Sequence, residues 1–293
     1  MLDPESAIDQ INAAFGKPKG YRTLHAKGRF YTGTFTATPE AGDLGSALHL
    51  QGPPVPVVVR WSNGGGNPHH PDGATDVRGM AVSFRLPDGT ATDLLGQTAP
   101  RFPVRTPEAF VELVKAANKP YLLPVFLARH PSAVPAMIAN ARAKSIAAPA
   151  SYADATFYPV HAYKWLAADK TASWVRYTFV PQAGESPGVF TGADRLQDEM
   201  AARLQRGPVR HTMRVQVAGP ADDPHDPMSV WSSSARVFDA GTIEVTALDP
   251  DREKDGAIFV FDPARIVTGI ELSGDPILRY RPGAYTASVN RRV

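Results

Sequence analysis

Apolar and polar residues alternate in several short segments of the chain, and this two-residue period predicts a largely antiparallel β protein. In one segment the side chains of Val175, Tyr177 and Phe179 fall on one face of a strand and polar side chains on the other. Strands half buried in this way are typical of a barrel or a curved sheet. The predicted strands are Arg29–Thr38, Val55–Ser62, Gly79–Arg85, Ser173–Pro181, Arg210–Val217 and Gly241–Leu248.

Helical patterns are fewer. Asp3 is a predicted N-cap, followed by Pro4 in the first turn of a helix that runs to about Phe15 and stops at Gly16. A second helix is predicted to begin after Thr106, because apolar residues recur from Phe110 at the i, i+3, i+4 spacing of an amphipathic helix.

One or two more helices are predicted over Leu123–Ile146, with breaks near Pro131 and Pro135. No internal repeat or low-complexity tract is present in the sequence. With 293 residues and no linker-like stretch, the chain is predicted to form a single domain over residues 1–293.

The composition excludes several classes of protein. Hydrophobic residues make up 43% of the sequence and charged residues 20%, which is typical of a globular protein with a substantial core. The net charge is +2 and the basic residues are spread along the chain, so we expect neither a nucleic acid nor a membrane as partner. The sequence contains no cysteine, which excludes disulfides, thiolate zinc sites, iron–sulfur clusters and Cys-ligated haem.

The first sixteen residues, MLDPESAIDQINAAFG, have neither the basic start nor the continuous apolar stretch of a secretory signal. No run of about 18 apolar residues occurs elsewhere in the sequence. These features predict a cytoplasmic location.

Two segments carry candidate chemistry. His25 lies just before an alternating strand, where a lone histidine is more often structural than catalytic. Near the other end, Arg281 and Tyr285 are four residues apart and would share a helix face with Arg292, although Pro282 weakens the helix start. A guanidinium directed at a phenol would favour phenolate, which is the form that binds iron. The alternative is an ordinary tyrosine among solvated arginines.

The sequence resembles the haem catalases in order over nearly its whole length. The segment Arg22-Thr23-Leu24-His25-Ala26-Lys27-Gly28 is similar to the family's distal segment, and Arg281-x-x-x-Tyr285 is similar to its proximal motif. Each block is weak alone, but the ordered set is specific. Other similar blocks are Val59–Ser62, Asp76–Val82, Asp93–Gly96, Trp174–Phe179, Ser229–Trp231 and Phe261–Glu271.

The resemblance implies an α+β fold, a catalase-type antiparallel eight-stranded β-barrel with surrounding helices. The sequence ends eight residues after Tyr285, so the wrapping segment and helical domain of ordinary catalases are expected to be missing and the pocket more open. The implied cofactor is haem b. We expect a monomer or a homodimer, since catalase tetramers assemble through the missing parts.

The resemblance also assigns roles to residues. Tyr285 is implied to be the iron ligand, held as phenolate by Arg281, with His161 and Asp275 completing a chain behind it. His25 is implied to be the distal acid and base. Other implied site residues are Ser62, which orients the histidine, Arg22, Arg60 and Arg292, which bind the haem propionates, and Leu24, Phe102 and Phe110, which line the pocket.

One departure bears on activity. Catalases carry a distal asparagine in Gly-Asn-Asn-Thr-Pro, and here the segment is Gly96-Gln97-Thr98-Ala99-Pro100, which puts the longer amide Gln97 at that position. Misplacing a catalytic donor by about one bond can cost about 10²-fold in rate. We therefore expect peroxidase chemistry, on hydrogen peroxide or organic hydroperoxides with a small organic reductant, to outweigh dismutation. A haem enzyme that rearranges fatty-acid hydroperoxides and a non-enzymatic haem-binding or haem-sensing protein are the alternatives.

Overall fold

The computed structural model describes residues 2–16 and 19–292, and this part of the chain combines seven α-helices with one antiparallel sheet. The helices are α1 Pro4–Phe15, α2 Pro39–Leu44, α3 Pro107–Asn118, α4 Leu123–Arg129, α5 Val134–Arg142, α6 Arg195–Arg206 and α7 Pro276–Asn290. The strands are β1 Gly28–Ala37, β2 Val55–Asn63, β3 Arg78–Arg85, β4 Ala91–Gln97, β5 Tyr163–Leu166, β6 Ala172–Pro181, β7 Val209–Val217, β8 Val237–Leu248 and β9 Ile270–Leu272.

The strands form a single curled sheet in the order β4-β3-β2-β1-β8-β7-β6-β5-β9. Two isolated bridges, Gln97 with Tyr158 and Phe157 with Phe179, connect the β4 edge to β6. The α+β class and the antiparallel curled sheet are confirmed. Among the described residues the sheet has nine strands rather than the eight implied by the resemblance, and the ninth is three residues long.

All six predicted strands are present, and their ends lie within one residue of prediction except that β8 begins at Val237 rather than Gly241. Strand β4 was not predicted because it carries Asp93 and Gly96, residue types that are depleted in strands. The buried carboxylate of Asp93 is paired with Arg265 at 3.1 Å, which allows it to lie inside a strand. Strands β5 and β9 are too short to show a period.

The predicted helices α1 and α3 are confirmed. Asp3 accepts a hydrogen bond from the Ser6 amide at 2.9 Å, and Thr106 caps α3 through the Ala109 amide. The break at Pro131 is present between α4 and α5. The break expected at Pro135 is absent, because this proline lies in the first turn of α5, where its missing amide hydrogen costs no helical hydrogen bond.

The terminal helix also differs from expectation. It begins at Pro276, capped by Asp275, and continues through Pro282, so the proline lies in its interior and not at its start. It ends at Asn290, and Arg292 follows in a turn instead of lying on the helix face two turns beyond Tyr285.

Strand alternation separates the interior of the sheet from the site. Trp61 points into the main hydrophobic cluster, with Phe35, Phe84 and Val245, and is fully buried. Its neighbours on β2, Arg60 and Ser62, point to the opposite side, where the sheet faces α1, α3 and α7.

A second apolar cluster joins the helices that cover this side of the sheet. Ala7 and Ile11 of α1 pack against Val111 and Val114 of α3, and Tyr280 of α7 packs against the same cluster. This arrangement holds α7 against the outer face of the sheet. None of the described helices is long and apolar enough to cross a membrane alone; only the pair 120–129 and 131–142, bent by 108°, passes that test together.

Candidate active site

A buried cavity lies between the sheet and helices α1, α3 and α7. His25 and Tyr285, the two residues that the sequence places at the centre of the chemistry, both line it. So do all other predicted site residues except His161 and Asp275, which lie behind Arg281. The lining residues with predicted roles are Arg22, Leu24, His25, Arg60, Ser62, Gln97, Phe102, Phe110, Arg281, Tyr285 and Arg292.

His25 is held in a fixed orientation. Its Nδ1 lies 3.0 Å from Ser62 Oγ, and its amide donates to the Gly64 carbonyl at 2.9 Å. Its backbone has a φ of 55°, a left-handed conformation that is uncommon for any residue with a side chain. The ring lines the cavity and Ser62 contacts its Nδ1, so Nε2 is the nitrogen available to exchange a proton there.

The surroundings of His25 keep its ring neutral. Burial, together with the positive charges of Arg60 and Arg281, lowers its pKa to about 3. A neutral imidazole can accept a proton, whereas an imidazolium cannot, so the site holds this side chain in the form that a general base requires.

Gly79 leaves room for the histidine ring. A Cβ atom at this position would lie 2.7 Å from both Cε1 and Nδ1 of His25 and 2.9 Å from Ser62 Oγ. These separations are well below ordinary contact distances, so any side chain at Gly79 would move the ring. The sequence block that contains Gly79 resembles the family, but nothing in it indicates this contact.

Gln97 lies next to this glycine. It is paired with Gly79 across strands β3 and β4. Its backbone amide donates to the Tyr158 carbonyl, and its backbone carbonyl accepts from the Tyr158 amide. Gln97 also lines the cavity. The position therefore suits an amide that contacts a ligand beside His25, and that role stays a prediction.

Tyr285 receives two hydrogen bonds from a single guanidinium. Arg281 Nε donates to its hydroxyl oxygen at 2.8 Å and Nη2 donates to the same oxygen at 2.5 Å. Burial raises the pKa of Tyr285 above its ordinary value, and Arg281 only partly opposes this effect. Arg281 alone thus favours phenolate less than expected from the sequence, and a further positive charge at the oxygen is needed to ionise it.

A hydrogen-bonded chain extends from Arg281 into the protein. Arg281 Nη1 donates to His161 Nε2 at 2.8 Å, so the ring proton is on Nδ1, which donates to Asp275 Oδ2 at 2.6 Å. The other carboxylate oxygen, Oδ1, accepts from the Ile277 and Leu278 amides at the start of α7. The structure thus brings together all four residues that the resemblance places in this chain.

Both members of the inner pair are almost fully buried, His161 at 2% exposure and Asp275 at 1%. Burial lowers the pKa of His161, and Asp275 opposes this only in part. Burial acts to raise the pKa of Asp275, but His161 and the helix amides bring it below the ordinary value. The pair is therefore a neutral imidazole that donates to a carboxylate.

Three further arginines meet at one end of the cavity. Arg60 Nη1 donates to the His25 carbonyl at 2.9 Å, and its guanidinium carbon lies 5.5 Å from the Phe30 ring centre. Arg22 lies over the same ring at 5.3 Å. The Nε atoms of Arg60 and Arg292 are buried without a hydrogen-bond partner, so both guanidinium groups are incompletely satisfied.

Glu253 is the site residue that sequence reasoning missed. Its carboxylate forms a bidentate pair with Arg22, with both distances 2.9 Å, and also accepts from Arg292 Nη2 at 3.2 Å. It lies in a charged stretch, Asp249–Asp255, whose composition predicts a solvent-exposed loop. This stretch is not among the segments that resemble the haem catalases. Only the fold places it beside arginines that are distant in the sequence.

The predicted apolar lining residues pack against other rings and helices around the cavity. Phe102 and Phe110 stack with ring centres 5.8 Å apart, and Phe102 lies 6.3 Å from the His161 ring. Leu24 packs with the cluster that joins α1 and α3. Across residues 2–16 and 19–292, no group of three or more His, Asp or Glu side chains is arranged to hold a metal ion. The role of Tyr285 as iron ligand stays a prediction.

The comparisons with known proteins agree with this geometry. The family model described as catalase matches residues 17–293. The chain belongs to the catalase family. A protein named catalase-related peroxidase from Mycolicibacterium paratuberculosis is 47% identical, over 100% of this chain and 95% of that protein. A second of the same name, from Synechococcus elongatus, is 30% identical over 100% of this chain and 89% of its own length.

A solved structure described as "Structure of a bacterial catalase" has the same fold as this member of the catalase family. It superposes with a TM-score of 0.75 at 21% identity, covering 100% of this chain and 61% of that chain. The chain thus spans less than two thirds of that catalase. At this identity the likeness concerns the fold alone.

Membership of the catalase family implies a haem cofactor, and the cavity fits one. The phenol of Tyr285 and the imidazole of His25 line the same cavity, as a haem iron with a ligand and a reactive side would require. Three guanidinium groups lie there, and one carboxylate, that of Glu253, pairs with two of them, Arg22 and Arg292, while Arg60 bonds to a backbone carbonyl. The three positive charges thus exceed the negative charge by two. A haem with two propionates would supply the two missing carboxylates.

Proposed function

We propose that this protein is a haem b peroxidase that reduces hydrogen peroxide or organic hydroperoxides with a small organic electron donor. The observation that carries the proposal is a single cavity, in a member of the catalase family, that contains both an arginine-bonded phenol and a neutral, hydrogen-bonded histidine. The names of the two relatives support the same activity.

The residues divide the chemistry between them. Tyr285 Oη would hold the iron, with Arg281 stabilising the phenolate and His161 and Asp275 fixing the position of Arg281. When bound, haem b would supply an iron that binds the peroxide and furnishes electrons for cleavage of its O–O bond. In the tautomer whose Nδ1–H donates a hydrogen bond to Ser62 Oγ, Nε2 of His25 carries no proton. This nitrogen would take the proton of the peroxide and return it to the leaving oxygen.

The iron ligand is tested by Tyr285→Phe. Removing the phenol oxygen should abolish the high-spin ferric spectrum of tyrosinate ligation and sharply reduce haem content after haem supplementation. Tyr280→Phe is the matched control, since Tyr280 lies on the same helix, lines the same cavity and has a buried hydroxyl without a partner. Unchanged pigment and spectrum in Tyr285→Phe would refute the assignment of the ligand.

The role of His25 is tested by steady-state turnover of guaiacol. His25→Ala should lose about 10²- to 10⁴-fold in rate, because no other histidine of residues 2–16 and 19–292 lines the cavity. His130→Ala, which removes a histidine paired with Glu112 away from the cavity, should keep wild-type turnover. Equal turnover in His25→Ala and wild type would refute the role of His25.

Product analysis with a fatty-acid hydroperoxide separates the alternatives. Consumption of a fatty-acid hydroperoxide without a donor, with formation of a rearranged product, would identify a rearranging enzyme. Haem binding with no turnover of any peroxide would identify a haem-binding or haem-sensing protein.

A further inference from the structure

Glu253 links two of the three arginines at the end of the cavity. Its Oε1 accepts from Arg22 Nη2, Arg292 Nη2 and the Phe259 amide, at 2.9, 3.2 and 2.9 Å. Its Oε2 accepts from Arg22 Nη1 at 2.9 Å. Burial acts to raise the pKa of Glu253, but Arg22 and Arg292 bring it below the ordinary value, so the group is a carboxylate.

Glu253 stands behind the cavity wall. Arg22, Arg60 and Arg292 line the cavity and Glu253 does not. Both terminal nitrogens of Arg22 are bonded to Glu253, so the edge of this guanidinium that carries Nε is the one left for another partner. The Nε atoms of Arg60 and Arg292 are buried and have no partner. The carboxylate thus holds Arg22 and Arg292 by their terminal nitrogens, and Arg22 Nη2 also donates to the Phe259 carbonyl at 2.6 Å. Nε of Arg292 is left without a partner.

We propose that Glu253 is a positioning residue for cofactor recognition: it fixes Arg22 and Arg292 so that their remaining N–H groups bind the two propionates of haem. The inference rests on the proposed haem binding. It makes the two arginines held by Glu253 the groups that favour a porphyrin with free carboxylates. Without Glu253, two partly buried cations would repel each other and adopt other rotamers, and the paired geometry that a carboxylate requires would be lost.

A purely electrostatic role and a positioning role of Glu253 predict opposite changes in porphyrin affinity for Glu253→Gln. If only charge mattered, removing a carboxylate from a positive cluster would strengthen the binding of an anionic porphyrin by roughly fivefold. If Glu253 positions the arginines, the same change weakens the binding, by roughly tenfold as for other residues that orient a ligand-binding group. The sign of the effect therefore decides between them.

The test uses metal-free protoporphyrin IX and its dimethyl ester, with dissociation constants from fluorescence titration. Neither iron nor catalytic activity enters this measurement. The quantity of interest is the ratio of the dissociation constant of the ester to that of the free acid. It is compared in wild type, Glu253→Gln, Glu253→Asp and Glu40→Gln, the last removing a carboxylate from an exposed ion pair with Arg236.

In wild type the ratio should exceed one, and Glu253→Gln should lower it roughly tenfold with little change in binding of the ester. Glu253→Asp keeps the charge but shortens the side chain, and it should lower the ratio too. Glu40→Gln should match wild type. Since Glu253→Asp is the milder change, it decides the matter if Glu253→Gln does not fold.

Three results would overturn the inference. They are a higher ratio in Glu253→Gln, an unchanged ratio in Glu253→Asp, and an equal loss of binding for acid and ester. A wild type that binds neither porphyrin would refute haem binding itself, whereas a wild type that binds both equally would refute only the role of Glu253.

Discussion

At the residue scale, the site depends on the orientation of a few side chains. His25 combines a left-handed backbone, a hydrogen bond to Ser62 and a ring packed against the bare α-carbon of Gly79. Each of these constraints acts on the same ring. Proton transfer is sensitive to displacements of about 1 Å, so the constraint from Gly79 should be visible in the rate.

Gly79→Ala should therefore reduce peroxidase turnover by about 10²-fold, because the new methyl group would displace the His25 ring. Haem content and the tyrosinate spectrum should stay unchanged, since Tyr285 is held by α7. Gly65→Ala is the control: its new methyl group would lie 3.5 Å from the nearest atom, an ordinary contact. Full activity in Gly79→Ala would show that the ring tolerates the displacement.

The residues that the sequence predicted and those it missed differ in one physical respect. His25, Arg281 and Tyr285 lie in ordered blocks that resemble a family, so the sequence alone was enough to name them. Glu253 acts through contacts with Arg22 and Arg292, 231 and 39 residues away along the chain. Such a pairing is set by the closure of the fold and leaves no local pattern in the sequence.

At the element scale, α7 combines a structural and a chemical function at the residue that caps it. Asp275 caps the helix through one carboxylate oxygen and orders His161 through the other. The helix was predicted to start poorly because of Pro282, but the cap at Asp275, well before that proline, provides the start. Sequence reasoning found Asp275 through the family spacing and missed its capping role.

Two substitutions separate the roles of Asp275. Asp275→Ala should lose the cap, costing about 1 kcal/mol of helix stability, together with the bond to His161. Asp275→Asn should keep the cap but present an amide donor to Nδ1, which moves the ring proton to Nε2 and sets it against the donor Arg281 Nη1. We expect calorimetry to show that Asp275→Asn retains most of the thermal stability of wild type. The absorption spectrum of tyrosinate ligation in its haem-loaded form should shift.

A spectrum of Asp275→Asn identical to that of wild type would contradict this argument. It would show that the tautomer of His161 does not influence the Arg281–Tyr285 contact.

At the scale of the whole molecule, the fold keeps two enclosed histidines neutral. His49 packs against the rings of Phe35 and Phe84, and burial lowers its pKa to about 3. His211 is enclosed likewise, with its pKa lowered to about 4. Both groups are neutral in the folded state and take up a proton near pH 6.5 once the chain unfolds. The cofactor-free protein should thus lose stability as the pH falls below about 6.5.

The contribution of His49 can be measured through His49→Leu. In wild type each such histidine lowers the free energy of unfolding by about 1.4 kcal/mol per pH unit, from about pH 6.5 down to its folded pKa. Removing one should reduce the slope of stability against pH by about that amount, in urea titrations between pH 6 and pH 4. An unchanged slope would mean that His49 is not kept neutral by the fold.

The oligomeric state, expected to be a monomer or a homodimer, stays a prediction. Sedimentation of the haem-loaded protein would distinguish these states, and a tetramer would contradict both.

One helix carries most of the polar residues around the Tyr285 hydroxyl. Helix α7 supplies Arg281 and Tyr285, leads directly to Arg292, and rests on α1, where Gly283 lies close to the Pro4 ring. Substitutions that loosen this helix–helix contact should therefore produce colourless protein although they leave Tyr285 and Arg281 in place. A random screen for loss of pigment would for this reason recover α1 packing residues such as Ala7 and Ile11 alongside the ligand itself.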